Sequence, residues 1–398
     1  MAIRSVKQSC SVERLLPLME TFRHMVNECI RIGLQNGAST MKRLSKLCYS
    51  ELANYQVVSY YKLHAISKAA GILANRKQSI RRGYPTKTPY LKKGILLSCY
   101  GLKIVDDVLK VPLGTRQYFD IPLNRYTANI LSDPAVTVRS FTLTANNTVS
   151  ICYAKEVAEI TPTSTFGVDR NLYNLTIGNR EHLMQYDLSK AVDIAENTLS
   201  IVKSFKRNDT RIRKRLYSKY GKRRSDRVKQ LLQHVSKQVV MEAKQEKSAI
   251  AFEKLTYIRK LYQKGNYQGR AYRGRMNGWS FTEIKRQIEY KAKWEGIPVI
   301  QLSSGQTRGT SQLCPQCGKR IQEARHKDVF HKRQLYCAIC LKWMDRDVVA
   351  AMNISRKGAE AFQRSKGDAC EAVKGNPTIP VILRVDASKL AKGHCPLS

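Results

Sequence analysis

Two Cys-x-x-Cys pairs, Cys314/Cys317 and Cys337/Cys340, are separated by 19 residues. Four thiolates at this spacing suit one structural Zn²⁺ held in a ribbon, each short pair offering two sulfurs from a tight turn. Gly318 follows the first pair directly and tolerates the positive φ such a turn needs. His326 and His331, in the loop between the pairs, are the nearby substitutes. An acidic pair, Asp345 and Asp347, then opens the apolar-periodic run Val348–Ile354. Two further carboxylates close short apolar stretches: Asp169 after Phe166-Gly167-Val168, and Glu253 after Ser248–Phe252. Separate strand or helix ends thus offer Asp169, Glu253 and Asp347, hard oxygen ligands suited to Mg²⁺. Such a set holds two ions about 3.5–4 Å apart, one activating water and one stabilising the leaving 3′ oxygen. Phosphodiester hydrolysis by this route needs no protein nucleophile, so a Ser/His/Asp or Cys/His pattern is not required.

The rest of the chain agrees with an anionic substrate. It has 398 residues, room for two or three cores, and a formal charge of +39. That excess repels itself unless a polyanion neutralises it, which points to nucleic acid ahead of an anionic membrane surface. No apolar run approaches a membrane span and no signal peptide or lipidation box is visible, so a soluble, cytoplasmic protein is expected. Of 11 cysteines, the seven outside the ribbon (Cys10, Cys29, Cys48, Cys99, Cys152, Cys370, Cys395) are scattered, as suits unpaired thiols in a reducing compartment.

Periodicity predicts the elements that carry these residues. A strand over 3–9 precedes three amphipathic helices within 11–83, the first with Pro17 in its opening turn. Short alternating strands then run from about Ile95 to Tyr153, the last two joined at Asn146-Asn147. After the Thr161–Thr165 linker come the strand ending at Asp169 and its hairpin partner Leu172–Ile177. Residues 190–247 read as helical and strongly basic, with Gly221 separating two helices. Acids there are few, which favours a phosphate-facing surface over a solvated one. Lys264–Trp279, rich in Gly, Arg, Lys and Tyr, reads as a linker or as a backbone- and base-stacking loop. A helix over Phe281–Glu295 and a strand over Val299–Leu302 lead into the ribbon, and 366–398 reads as a poorly ordered tail.

Gly167-Val168-Asp169, Phe252-Glu253-Lys254-Leu255, Thr310–Gly318 around the first cysteine pair and Asp345–Ile354 together resemble the TnpB family. These are transposon-encoded RNA-guided nucleases related to the Cas12 effectors, and the resemblance covers about 160–356. It implies a multidomain α+β and α/β chain. A β-barrel-like wedge domain (1–10 and 84–160) would carry a helical recognition insertion (11–83). An RNase H-like RuvC nuclease domain (161–306 and 344–365) would contain the zinc ribbon (307–343), which binds target nucleic acid. The first two domains match by layout alone. The resemblance further implies Asp169, Glu253 and Asp347 as catalytic ligands of two Mg²⁺ ions, with Asp347 rather than Asp345 as the ligand. Its implied partners are a guide RNA from the transposon end and target double-stranded DNA, cut beside a short flanking motif in a prokaryotic, nucleoid-associated setting; base pairing would supply the specificity. A miniature CRISPR effector and a nuclease-inactive RNA-guided repressor are the alternatives. His234 matches a common family histidine and is expected to be structural. Two departures stand out: Arg170-Asn171 where the family has an apolar residue and Gly, and Val349 where it has Asn.

Overall fold

The computed structural model describes residues 1–114, 116–205, 209–255, 258–263, 265–323, 333–366 and 382–386. The chain forms two compact units, Met1–Glu156 and Val157–Ser398.

The first unit runs β1 (Ala2–Ser9), α1 (Leu16–Gln35), α2 (Met41–Cys48), α3 (Ser59–Arg81), β2 (Ile95–Ser98), β3 (Lys103–Val105), β4 (Val108–Gly114), β5 (Gln117–Pro122), α4 (Arg125–Leu131), β6 (Val136–Thr144) and β7 (Thr148–Lys155). Met19, Phe22, Met25, Val26 and Cys29 recur every three or four residues on α1 and are all buried. Pro17 sits in its first turn, where a missing N–H costs nothing. Asn147, at φ 54°, makes the β6–β7 turn expected of the Asn-Asn pair. A barrel-like arrangement was expected; the strands instead divide into two sheets, β1-β7-β6-β2 and β3-β4-β5. α4 is an element the periodicity did not announce, and Asn124 caps it by accepting the Thr127 N–H at 2.8 Å.

The second unit carries the residues singled out above. It runs β8 (Ser164–Arg170), β9 (Asn174–Gly178), β10 (Leu183–Asp187), α5 (Ser189–Ser204), α6 (Thr210–Gln245), β11 (Ser248–Glu253), α7 (Arg270–Gly278), α8 (Phe281–Trp294), β12 (Val299–Leu302), β13 (Gln322–Glu323), β14 (Gln334–Cys337), β15 (Lys342–Asp345), α9 (Arg346–Lys366) and β16 (Ile382–Asp386). Six strands form one sheet in the order β12-β11-β8-β9-β10-β16. β8, β9 and β10 are successive antiparallel strands, whereas β11 and β12 run parallel to β8.

Strand alternation decides which residues face which layer. Phe166 and Val168 on β8, and Ile250 and Phe252 on β11, join the core formed with Val235 and Val239 of α6 and Ile284 and Ile288 of α8. The alternate positions face α9. A Cβ on Gly167 would lie 2.0 Å from the Ala351 carbonyl oxygen, and one on Gly358 would lie 2.4 Å from the Ala251 Cβ. Only glycine lets α9 approach the sheet this closely. Ser355 Oγ then donates to the Thr165 carbonyl at 2.6 Å, fixing the helix along β8.

Three expectations need correction. Gly221 does not separate two helices: α6 is one helix of 36 residues. One interior glycine costs about 1 kcal/mol, little beside the burial of Val228, Leu231, Leu232, Val235, Val239 and Val240 further along the same helix. The segment read as a linker or loop contains a helix, α7. Within the expected tail, Ile382–Asp386 pairs parallel to β10; 367–381 and 387–398 lie outside the described residues, as do His326 and His331. Among the described residues, no helix is long and apolar enough to cross a membrane.

Candidate active site

The alternation that packs Gly167 and Ala251 against α9 carries Asp169 and Glu253 to the same face, at the ends of adjacent parallel strands. α9 begins beside them and contributes Asp347 from its first turn. Asp169 feels the other two carboxylates. Burial first, then the charges of Asp347 and Glu253, push Asp169 up to about 7. Burial also raises Glu253, with Arg170 opposing it. Arg333 and Arg170 offset part of this negative charge, and the all-oxygen donor set suits Mg²⁺.

Asp345 and Asp347 do different things although two residues separate them. The Asp345 Oδ1 accepts the backbone N–H groups of Asp347 at 2.8 Å and Val348 at 3.4 Å, so this carboxylate caps α9. Asp347 is 2% exposed; its Oδ2 accepts from the Asn174 side chain at 3.0 Å, and its Oδ1 accepts from Arg333, just before β14. Asn171 donates to Asp169 Oδ2 at 2.8 Å and to Asn174 Oδ1 at 3.1 Å. Asn171 and Asn174 thus link the β8 and α9 carboxylates across the β8–β9 turn. Sequence reasoning treated Asn171 as a departure and missed Asn174 and Arg333; an Asn-x-x-Asn spacing in a hairpin turn was the available signal.

Both departures have structural partners. Arg170, 4% exposed, points to the opposite face from Asp169. Its guanidinium donates to the Glu253 carbonyl at 2.7 Å and the Phe281 carbonyl at 3.1 Å, and lies 5.5 Å from the Phe252 ring centroid. It therefore ties the ends of β8 and β11 to the start of α8. Val349 is fully buried with Cys314, Ile321, Leu335, Cys337 and Met344, so an apolar residue there joins α9 to the ribbon core. Asn353, one turn on, donates to the Thr310 and Leu313 carbonyls at 2.8 and 2.7 Å. His234 is half-buried on α6.

The four ribbon sulfurs lie within 4.8 Å of one another, with Cys314–Cys340 at 3.8 Å and Cys317–Cys337 at 3.5 Å. Four sulfurs each 2.3 Å from one centre are about 3.8 Å apart, so the set fits tetrahedral Zn²⁺. The turn expected at Gly318 has φ 73°, and Leu341 repeats it after the second pair at φ 50°. Burial opposes ionisation of Cys337, yet the Cys340 N–H and its thiol neighbours bring it down to about 7. That is a thiol readily ionised for a metal.

Residues 281–354 match the family described as Cas12f1-like, TNB domain. A TnpB-like protein of Methanocaldococcus jannaschii is 35% identical over 147 residues, 37% of this chain and 49% of the relative. Both matches support the resemblance to the TnpB family. The chain spans about half the length of that archaeal TnpB-like relative.

The raised Asp169 gives a pH test that needs no substrate. Unfolded, this carboxyl titrates near 3.8; folded and metal-free, it titrates near 7. Between those values the folded state holds a proton that the unfolded state has released, so this group's contribution falls as pH rises and levels off above 7. The Tm of metal-free wild type should therefore drop relative to Asp169→Asn between pH 4 and pH 7 in thermal melts. Parallel curves would mean that Asp169 is not buried among the other carboxylates as described.

Proposed function

We propose that the chain is an RNA-guided DNA endonuclease of a transposon. It would cut double-stranded DNA beside a short flanking motif by metal-dependent phosphodiester hydrolysis. The observation that carries this reading is the convergence of Asp169, Glu253 and Asp347 from β8, β11 and α9, where burial first and then the charges of the other two raise Asp169 to about 7. The sheet supports it: three antiparallel strands followed by two parallel ones, with Asp169 on the first, is the order of an RNase H-like, RuvC-type domain. In this reading Met1–Glu156 supplies the wedge and recognition parts, and the protein works in the cytoplasm on nucleoid DNA.

Two Mg²⁺ ions, when bound, supply water activation and charge stabilisation at the leaving oxygen. The chain's own residues prepare the place. Asp169, Glu253 and Asp347 would hold the ions, Asn171 and Asn174 orient two of those carboxylates, and Arg170 fixes the backbone that carries Glu253. The four cysteines would hold one structural Zn²⁺ away from the chemistry.

Sequencing the RNA that copurifies with the protein is the first test. That RNA, with DNA complementary to its guide portion and Mg²⁺, should give RNA-dependent cuts. No cut in Mg²⁺ or Mn²⁺ with RNA bound would replace this reading by the nuclease-inactive repressor. The Cas12f1-like match favours one second reading, a miniature CRISPR effector; guide sequence from a CRISPR array rather than a transposon end would establish it.

The first half of α6 is largely exposed and carries the half-buried Arg213 and the exposed Lys214 and Arg215. If it faces guide RNA phosphates, binding weakens with salt through counterion release, by roughly 0.7–0.9 in log–log slope for each phosphate neutralised. Reversing all three charges should flatten that slope by about 2–3. An unchanged slope returns α6 to a solvated face.

A further inference from the structure

On the face of the sheet to which Arg170 points lies a cavity of about 900 Å³, within the range of ligand-binding pockets, walled by the β8–β9 turn and by α5, α6 and α7. Its wall is largely aliphatic, with Leu172, Leu175, Val192, Val228 and Leu232. Trp279 also lines it, its ring centroid 4.9 Å from that of Phe281. Five cations line the cavity, Arg170, Lys203, Arg224, Arg270 and Arg275, against one carboxylate, Glu196. Glu196 is itself paired with Arg275 at 3.5 Å. Ala191, Ala195, Ala271 and Gly274 leave the space open where larger side chains would close it. The cavity reaches Asn171, the residue that holds Asp169.

A ligand complementary to this lining has an apolar body and anionic edges, and its end at Asn171 comes within one side chain of Asp169. An apolar peptide satisfies the wall alone and leaves the cations unmatched. A nucleotide satisfies both demands, because a base presents apolar faces and its phosphodiester presents the charge. We propose that the cavity receives one unstacked nucleotide of the strand being cut, its base among the aliphatic side chains and Trp279 and its phosphate on the cationic residues. This deepens the nuclease reading and rests on it. Lodging one nucleotide would fix where along the strand the neighbouring phosphate meets Asp169.

The test places 2-aminopurine at successive positions of a single-stranded DNA bound to the full chain with its copurified RNA, without added Mg²⁺. One position should brighten on binding, as an unstacked base does. Ala195→Phe fills the cavity from α5 and should abolish that brightening. It should weaken binding roughly 5- to 100-fold, the usual worth of one stacked base, yet leave unchanged the binding of a strand that is abasic at that position. Arg270→Ala, at an exposed position that does not threaten folding, should weaken both strands alike. Equal brightening in wild type and Ala195→Phe, or equal losses on normal and abasic strands, would overturn the proposal. A base that lodges in a strand never cut on adding Mg²⁺ would retain the cavity and sink the catalytic reading. Wild-type cutting by Ala195→Phe would do the reverse.

Discussion

Replacing Asp347 by Ala should lower RNA-guided cleavage by several orders of magnitude and leave RNA binding nearly unchanged. The carboxylate is buried but sits at the first turn of α9, where it bonds to Asn174 and Arg333 rather than filling a core. Its loss should therefore be felt in the transition state, where metal positioning and charge stabilisation fail together. Asp169→Ala and Glu253→Ala should behave alike, and the three losses should not add, because the residues act as a unit. Asp345 is the internal control. Its carboxylate accepts the N–H groups of Asp347 and Val348, so Asp345→Ala removes a helix cap, worth about 1 kcal/mol of stability. A modest fall in Tm with most of the cleavage rate retained is the expected result. If Asp345→Ala abolishes cleavage and Asp347→Ala spares it, the roles are exchanged and the capping geometry does not describe the working enzyme.

What was legible in the sequence was whatever a local pattern fixes. Gly318 announced the turn because few other residues adopt its φ freely. That two short apolar strands end in the carboxylates Asp169 and Glu253 was legible too, whereas their common face follows from the parallel pairing of β8 with β11. What stayed hidden depends on partners distant in the chain. Arg170 reads as a disruption beside Asp169 until its carbonyl partners, 83 and 111 residues away, are known. Val349 reads as a lost polar group until the ribbon core closes over it. Gly221 misled for a different reason. A glycine signals a break only when the helix has little else to hold it, and the buried face of α6 outweighs it.

Loss of the ribbon metal should also lower cleavage, less than loss of a carboxylate and by a longer route. Freshly purified protein should contain one zinc per chain by elemental analysis. Replacing Cys340 by Ser, or removing the metal with a chelator, should unfold the ribbon, because zinc binding in such small modules supplies on the order of 10–16 kcal/mol. The ribbon's own core is slight: Ile321, Leu335 and Met344 among the cysteines, with Val349 lent by α9. When it opens, α9 loses the cover over Val349 and the two carbonyls held by Asn353. Arg333 also leaves Asp347. The start of α9 is then secured by the Asp345 cap and by Asn174, while its later turns stay pinned through Gly167, Ser355 and Gly358. Cleavage should therefore fall by at least tenfold with all three carboxylates intact, and limited proteolysis should cut within 307–343 before it reaches the sheet. Val349→Asn separates the two links: zinc content should stay at one per chain while the ribbon becomes easier to open. A zinc-free preparation whose ribbon resists protease would end the four-thiolate assignment, and full cleavage by the metal-stripped protein would end the coupling between ribbon and α9.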